Sequence, residues 1–512
     1  MSRLIGSIEQ RPRAAFACML ALHAALWTAL PALLYPNLPL DLIEALTYGK
    51  EWQLGSDKLP PLPWWLVEIV HRLVDIDAAY YALAQLSVVA AFTFVWLLAR
   101  RVVGPLGALV AVMIVDGLHY FNYTAAKFNH DVIQLPFWGL AGYAFYAALR
   151  PGGSSSRLLY WALLGVALGL AFWAKYFVIV LAAPLALFLL VDRQARPALA
   201  TAGPWLALAL ALLIAVPHLV WLARNDFVPF TYASARAAPA QTFLDHVRHP
   251  AEFALGQLVF MMPALLIAAL LVWPRPRAPI APVADSFDRR IVTLLAFGPA
   301  AATLALSLVS GRGTIAMWGY PLWLFLGVWI VLQARVPLEP VRLGRVVAAW
   351  GVVLMLFAAV FAVNYTVLPA FDHRYRAVFY PGDRLAQELA RGFRAATGRP
   401  LDYVIGSMWD GGNVAHYARE QPRVLIDGDP RRAPWIDLGD LRSKGAVLVW
   451  TGDDPLVIPI GLRSIAGDAQ VQPPITLPYR RGEGTLTAGW AIMRPQPAFA
   501  QSHPRIGNSS VW

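Results

Sequence analysis

Carboxylates are concentrated in one short stretch near the N-terminus, between two apolar segments. The stretch reads YPNLPLDLIEALTYGKEWQLGSDKLPPLPWWLVE from Tyr35 to Glu68, and it contains five acidic residues: Asp41, Glu44, Glu51, Asp57 and Glu68. If a helix begins at Asp41, its i, i+3, i+7, i+10 positions share one face, which carries Asp41, Glu44, Tyr48 and Glu51. This pattern favours a helix along a membrane surface with its carboxylates turned toward a cavity. A structural alternative is that Asp41 and Glu44 form an acidic N-cap box.

The second half of the stretch, DKLPPLPWW, places an acid and a base beside a proline pair. Prolines favour an extended chain, which would hold Asp57 and Lys58 in a fixed place near the predicted helix. Trp64 and Trp65 are typical of the membrane interface, where amphipathic rings collect. A positioned acid and base at that interface suit chemistry on a lipid headgroup.

Two further polar positions interrupt apolar runs. HYFNYTAAKFNHDVIQLPFW contains Lys127, Asn129, His130 and Asp131; here Asn129 or Asp131 could cap a helix, and Lys127 could mark the interface. Lys175 interrupts GLAFWAKYFVIVLAAPL. A lysine between two apolar segments is costly unless it snorkels or has an anionic partner, and the phosphate of a lipid-linked substrate is one such partner.

These residues belong to a chain whose composition is that of a polytopic membrane protein. Of its 512 residues 58% are hydrophobic and only 14% are charged, whereas soluble domains average about 25% charged residues. Runs of roughly 20 apolar residues predict about eleven spans, centred near Leu26, Val89, Val110, Leu140, Val166, Leu185, Leu212, Leu265, Thr303, Leu326 and Met355. The fifth and sixth flank Lys175 and form either a hairpin or one broken helix.

Loop charge predicts the orientation of the bundle. The N-terminus and every second loop are arginine-rich, with Arg100 and Arg101, Arg150 and Arg157, Arg193 and Arg196, Arg275 to Arg290, and Arg335 to Arg345. By the positive-inside rule these loops are cytoplasmic. The stretch from Tyr35 to Glu68, Asp131, Lys175 and Arg224 would then face the other side. The net charge of +11 is thus a topology signal and not a nucleic-acid footprint.

Two domains are expected. Residues 1–366 form the embedded unit, with a first external loop at 36–76. Residues 367–512 alternate an amphipathic helix, short apolar strands at Tyr403–Ile405 and Arg423–Ile426, a helix near Asn413–Arg419 and a strand in GAVLVW, which predicts a small α/β domain. The first span lacks an A-x-A cleavage site and is expected to be retained. Cys18 is the only cysteine, so no internal disulfide can form.

Several motifs are missing from the sequence: a Walker A loop, a dinucleotide fingerprint and HExxH. An outward-facing transferase without a nucleotide site would use a lipid-linked, pre-activated donor.

The first loop resembles that of the GT-C glycosyltransferases of the protein-mannosyltransferase-like group, family 39. An apolar span is followed by an Asp-led helix and G-x-x-x-x-P-P-L, which here is Gly55 to Leu62. The leading acidic residue of that family falls on Asp41, while Lys58-Leu59 stand where the family has Asp-His. The NHD and GLAFWAKY segments also resemble family segments.

Together with the loop charges and the tail pattern, the resemblance predicts a multi-pass bacterial inner-membrane enzyme of GT-C-like helical fold, whose small C-terminal α/β domain and active site both face the periplasm. It implies a polyprenyl-phosphate sugar donor, an inverting displacement and an outer-leaflet acceptor such as lipid A, lipopolysaccharide or another envelope glycolipid. Asp41 is then the candidate base, with Glu44 as a second catalytic candidate. The candidate substrate-binding residues are Asp57, Lys58, Asp131, Lys175 and Arg224. The resemblance allows a divalent metal, for which no ligand set is evident.

A rival interpretation is a transporter or flippase for a lipid-linked sugar. It predicts ionisable residues deep within the spans and two related halves. The sequence instead predicts that the ionisable residues collect at one membrane face, and no half-to-half similarity is evident. A scaffold or sensor built on the tail is a third interpretation.

Overall fold

The computed structural model describes residues 2–150, 154–274, 284–372 and 374–496. The chain divides into two compact units, residues 1–371 and 372–512. Arg275 and Arg277 of the arginine-rich loops, and the end of the expected tail domain, lie outside the described residues.

The first unit is helical. Its α-helices are α1 (Ser2–Gln10), α2 (Pro12–Leu34), α3 (Leu40–Gly49), α4 (Leu62–Leu73), α5 (Asp77–Val102), α6 (Gly104–Asp116), α7 (His130–Ile133), α8 (Leu135–Leu149), α9 (Ser154–Ala174), α10 (Ile179–Val191), α11 (Ala202–Arg224), α12 (Val228–Arg236), α13 (Asp245–Val272), α14 (Ser286–Ser310), α15 (Leu326–Ala334) and α16 (Pro340–Thr366).

Within the described residues, eight helical stretches are long and apolar enough to cross a bilayer: α2, α5, α7 with α8, α9, α11, α13, α14 and α16. Helix α6 and the segment Tyr176–Val191 are apolar but shorter, and α15 has nine residues. The predicted count of eleven is therefore not confirmed, although each predicted centre lies in a helix. Outer faces such as that of α11, where Leu213 is 68% exposed, suit contact with lipid tails.

Helix α8 packs between two neighbouring long helices. Helices α5 and α9 flank α8, α11 packs on α9, and α10 packs on α14. Helices α9 and α10, on either side of Lys175, thus have different main partners. Helices α9 and α10 are therefore two separate helices that diverge at Lys175.

The loops form two groups at opposite ends of the helices, and these are the two groups that loop charge predicts. On one end, Arg150 Nε lies 3.0 Å from Asp288 Oδ1, and Arg290 Nε lies 2.6 Å from Asp192 Oδ2. On the other end, the first loop accepts contacts from His130 and His218 through the carbonyls of Pro60 and Leu54. The cations expected in the cytoplasm therefore gather at the end opposite the first loop.

A buried polar cluster lies deep in the helices, which corrects the expectation that ionisable residues collect at one face. His23 Nδ1 of α2 lies 2.8 Å from Asp116 Oδ1 of α6, with both side chains fully buried. Trp350 of α16 donates to Asp116 Oδ2 at 2.6 Å. These buried polar groups pair with one another, as burial within a bundle requires, and they tie three helices together.

The second unit is a six-stranded sheet with helices. Its elements are α17 (Gly382–Thr397), β1 (Tyr403–Gly406), α18 (Met408–Tyr417), β2 (Arg423–Ile426), α19 (Leu438–Lys444), β3 (Ala446–Thr451), α20 (Ile460–Ala466), β4 (Gln470–Val471), β5 (Ile475–Pro478) and β6 (Thr485–Met493). The strand order is β2-β1-β3-β6-β4, and β5 pairs with β6. Strands β1, β2 and β3 are parallel, and β6 is antiparallel to β3.

Alternation along the strands builds a core on each face of this sheet. Ile405, Leu425 and Leu448 belong to one buried cluster, which also holds Leu441 of α19 and Leu462 of α20. Helices α17 and α18 pack against each other, and α18 also contacts β1 and β2. The predicted α/β character of the tail is confirmed, and its predicted second helix begins at Met408, earlier than expected.

Candidate active site

Helix α3 carries Asp41 and Glu44 of the first loop, and most of the helix is buried in the protein. Every residue from Leu42 to Gly49 is buried, including Glu44 at 9% exposure. The helix packs on α4, where a Cβ at Gly49 would meet the Trp64 carbonyl at 2.5 Å. Helix α4 therefore covers one face of α3, and the placement of α3 along a membrane surface stays a prediction.

Asp41 does not cap this helix. The N-cap is Pro39, without a side-chain capping bond, and Asp41 lies in the first turn. The Asp41 side chain is half-buried, and no hydrogen bond or ion pair to it occurs among the residues that the structure describes. The capping alternative is therefore wrong. The Asp41 oxygens are left for something other than the protein.

Glu44, one turn along, is neutralised by the proline segment. Lys58 Nζ lies 2.8 Å from Glu44 Oε2, with side chains 14% and 11% exposed. Tyr48 donates its hydroxyl to Asp57 Oδ1 at 2.9 Å. The structure thus brings Asp57 and Lys58 to the acidic face of α3, as the spacing predicts.

The glycine of the loop motif lets α11 approach closely. A Cβ at Gly55 would lie 2.1 Å from the Trp221 ring, which no side chain could accept without displacement. One turn earlier on α11, His218 Nδ1 contacts the Leu54 carbonyl at 2.6 Å. The loop is thereby fixed between α3 and α11.

Trp64 is a core residue of the site and not part of an interfacial belt. It is 2% exposed, and its ring stacks on Tyr48 with centroids 4.4 Å apart. The His130 ring lies nearly perpendicular to the Trp64 ring, with centroids 5.1 Å apart, and His130 Nε2 contacts the Pro60 carbonyl at 3.2 Å. The belt interpretation of Trp64 is wrong, because the Pro-Pro turn directs α4 back into the bundle.

A second ion pair joins Asp131 of α7 to Lys175 between α9 and α10. Lys175 Nζ lies 2.6 Å from Asp131 Oδ1, with side chains 12% and 10% exposed. Asn129 caps α7 by accepting from the Val132 amide at 3.0 Å, so the capping interpretation of Asn129 is confirmed. Lys175 does not snorkel. It has a protein carboxylate as its anionic partner.

The charges of Glu44, Lys58 and Asp131 all affect the pKa of the Asp41 carboxyl. Burial raises the pKa of the Asp41 carboxyl from 3.8 to about 7, the Glu44 carboxylate adds to this rise, and Lys127 and Lys58 oppose it. A carboxyl with this pKa is part neutral and part ionised near pH 7, which is the range in which a general base works best.

Lys127 and Arg236 are two cations that the sequence did not single out for this site. Lys127 follows an irregular segment, and no ion pair to it occurs within the described ranges. Arg236 and Lys58 both lie 5.8 Å from the centroid of the Tyr232 ring. Arg224, which the sequence predicted, ends α11 with an exposed side chain and forms no ion pair in the described part of the chain.

The donor set does not suit a divalent metal. Among the described residues, no group of three His, Cys, Asp or Glu side chains lies close enough to hold an ion. Glu44 and Asp131 are each bound by a lysine ammonium, which competes for the oxygens that a hard cation would need. No step is therefore assigned to a metal.

The sequence is similar to those of known glycosyltransferases. A family profile described as dolichyl-phosphate-mannose-protein mannosyltransferase matches residues 58–221. Two Rhizobium johnstonii proteins are each 26% identical: the lipopolysaccharide core galacturonosyltransferase RgtB and the lipid A galacturonosyltransferase RgtD. The matches cover 46% and 56% of this chain, and the chain spans about half the length of these relatives, 47% and 58%.

Most of the chain shares a fold with a solved structure. ArnT from Cupriavidus metallidurans, bound to undecaprenyl phosphate, superposes with a TM-score of 0.62 at 14% identity, over 94% of this chain and 98% of that one. This likeness covers both units of the fold. With the family profile and the two relatives, it supports the resemblance of the chain to the protein-mannosyltransferase-like group of GT-C glycosyltransferases.

Proposed function

We propose that the protein is an inverting glycosyltransferase, transferring a hexose or pentose from a polyprenyl phosphate to a hydroxyl of an outer-leaflet glycolipid. Lipid A or another part of lipopolysaccharide is the acceptor that the names of RgtB and RgtD support. Undecaprenyl phosphate, found on ArnT, supports the donor class. The active site faces the periplasm in this proposal, as the loop charges favour.

One observation carries the proposal: Asp41 is a carboxyl without a protein partner, set beside two carboxylates that lysines neutralise. Glu44 and Asp131 are held by Lys58 and Lys175, and no such partner reaches Asp41 among the described residues. Two kinds of carboxyl with separated environments are the usual basis of acid and base assignments. Asp41 is the group that can accept a proton near neutral pH.

The chemistry is a single displacement. The acceptor hydroxyl oxygen attacks the anomeric carbon of the donor sugar while Asp41 takes the hydroxyl proton. The bond from that carbon to the phosphate oxygen breaks, and polyprenyl phosphate leaves with the electron pair. One glycosidic bond replaces one sugar–phosphate bond, and the configuration at the anomeric carbon inverts.

Cations around Tyr232 can offset the charge of the leaving phosphate. An ammonium has three N–H donors, so Lys58 retains donors for a phosphate while it contacts Glu44. Arg236 shares the Tyr232 ring with Lys58 and can provide a two-pronged contact. Lys175, held by Asp131, is a further candidate on the phosphate side, and Arg224 is a more distant one.

The test is transfer by the purified protein. The full-length chain in lipid nanodiscs is incubated with polyprenyl-phosphate sugars and lipid A, and the glycolipids are read by mass spectrometry. The expected result is a glycolipid heavier by one sugar residue, matched by its loss from the envelope of a deletion strain. If the protein instead moves the donor across sealed vesicles and transfers no sugar, the transporter interpretation would replace this one.

A further inference from the structure

The tail unit contains a cleft at the carboxyl edge of its parallel strands. Strand β1 lies between β2 and β3. The chain therefore passes from β1 to β2 on one side of it and then crosses to β3 on the other side. In open α/β sheets, ligands bind outside the carboxyl ends of the strands at such a switch point. Here the switch lies between Gly406, which ends β1, and Thr451, which ends β3.

A buried carboxylate lies at this point. Asp410, in the first turn of α18, is 4% exposed. It accepts hydrogen bonds from the hydroxyls of Tyr380 at 2.8 Å, Ser407 at 2.9 Å and Thr451 at 3.1 Å. Each hydroxyl therefore directs its hydrogen to Asp410. Two of them, on Tyr380 and Thr451, also line the cleft, where they present lone pairs and can accept but not donate.

Aromatic rings form the rest of the cleft. Its volume is about 330 Å³, and its lining includes Tyr375, Trp409 and Tyr479. The Tyr375 and Tyr479 rings lie 5.9 Å apart at an angle of 69°. This volume is at the lower end of the ~300–1,000 Å³ typical of small-molecule sites.

A glycine keeps one side of the cleft open. Gly452 has φ +87°, a left-handed conformation that side chains rarely adopt. Nothing lies within 4 Å of where its Cβ would be. Beyond it, Thr485 and Thr487 of β6 add hydroxyl groups to the lining.

We infer that this cleft binds the pyranose ring of a saccharide. A sugar ring has an apolar C–H face that can stack on tyrosine and tryptophan rings, and it has hydroxyl hydrogens to donate. The cleft offers both complements: flat aromatic faces and hydroxyl oxygens already committed as acceptors. A carboxylate behind the lining disfavours a phosphate, so the ligand is an uncharged part of a sugar. The carbohydrate headgroup of a glycolipid belongs to this class.

The inference does not rest on the transfer reaction, and binding is measured without any donor lipid. Full-length protein is prepared in nanodiscs, because sugar-based detergents would compete. Saturation-transfer difference NMR is recorded with methyl β-glucoside and methyl N-acetyl-β-glucosaminide, and with sorbitol as an open-chain polyol control. The expected result is saturation of ring protons in at least one glycoside and none in sorbitol.

Variants locate the site. Tyr375 is 59% exposed, so Tyr375→Ala should fold normally and weaken binding about tenfold through lost stacking. Tyr417→Ala, at the end of α18 and outside the lining, should bind like wild type. Thr451→Val should also weaken binding, because it removes an acceptor. No saturation of either glycoside at millimolar concentration, equal saturation of sorbitol, or unchanged binding by Tyr375→Ala would each overturn the inference.

Discussion

Two carboxyl groups three residues apart on α3 have different surroundings. Glu44 is paired with Lys58, while the pKa of Asp41 rises to about 7 through burial and the nearby Glu44 carboxylate. Neutralising one carboxylate and leaving its neighbour without a partner separates a structural acid from a group able to accept protons. This division of roles leads to a prediction about pH.

Transfer should depend on pH through the ionisation of Asp41. A base must be deprotonated, so kcat/KM should rise as the pH increases through about 7, the pKa of Asp41. Lys127 lowers this pKa, so Lys127→Met should move the rising limb to higher pH. Glu44 raises it, so Glu44→Gln should move the limb to lower pH. Rate profiles of the three proteins test this. If the rising limbs of all three profiles coincide, a group other than Asp41 titrates.

Sequence spacing predicted part of the site at this scale. The i, i+3, i+7 pattern correctly brought Asp41, Glu44 and Tyr48 to one face, because helical geometry is local. The partner of Lys175 was not predicted, since Asp131 is 44 residues away in the chain. Lys127 and Arg236 were missed for the same reason: their positions follow from how irregular segments fold back, which no periodic pattern records.

At the scale of the secondary-structure elements, one ion pair holds the ends of several helices together. Asp131 begins the α7–α8 segment and Lys175 lies between α9 and α10. Their pair therefore joins the α7–α8 segment to the junction between α9 and α10 at the level of the site. Removing one partner of a buried pair leaves an uncompensated charge, which costs about 3–5 kcal/mol, whereas removing both costs less.

A double-mutant cycle separates the two possible roles of Lys175. Lys175→Met should lower the melting temperature in detergent, and Asp131→Asn/Lys175→Met should recover most of that loss. If Lys175 also binds the donor phosphate, the double variant should still bind donor weakly, and Lys175→Arg should retain part of the affinity. Full recovery of donor binding in the double variant would limit Lys175 to neutralising Asp131.

Gly55 fixes the first loop against α11. A methyl group there would overlap the Trp221 ring, so Gly55→Ala should lower the free energy of unfolding by about 1–3 kcal/mol. Gly351→Ala is the matched control, since its Cβ would meet nothing within 4 Å. Thermal unfolding in detergent compares the two. Equal stability of both variants would mean that Gly55 is not a close-packed contact.

At the scale of the whole molecule, topology decides whether the site is accessible to an outer-leaflet acceptor. The arginine-rich loops contact one another at the end opposite the first loop, which is the grouping that loop charge predicted. Hydropathy located the spans well, because each needs only a local apolar run. The predicted count of eleven spans is not confirmed, since α6 and α15 are short. In the tail, β1, β2 and β3 were predicted from apolar runs, whereas β4 and β5 are too short and exposed to give such a signal.

Cysteine labelling tests the orientation. In a Cys18→Ala background, Leu73→Cys of the first loop is 76% exposed, and Arg431→Cys of the tail replaces a side chain that is 95% exposed. Both should react with an impermeant maleimide in cells whose inner membrane is intact. The exposed Arg193→Cys should react only after permeabilisation. The reverse pattern would place the site in the cytoplasm and overturn the periplasmic assignment.

Turnover of Asp41→Asn is the most direct measurement of the central claim. Asn is nearly the same shape but is a poor proton acceptor, and a lost cap cannot explain an effect, because Pro39 is the N-cap. The expected result is a loss of about 10²–10⁴-fold in sugar transfer, with donor binding and melting temperature unchanged. Asp75→Asn, at a carboxylate 69% exposed in the same loop, should keep full activity. Near-normal transfer by Asp41→Asn would contradict the assignment of Asp41 as the base.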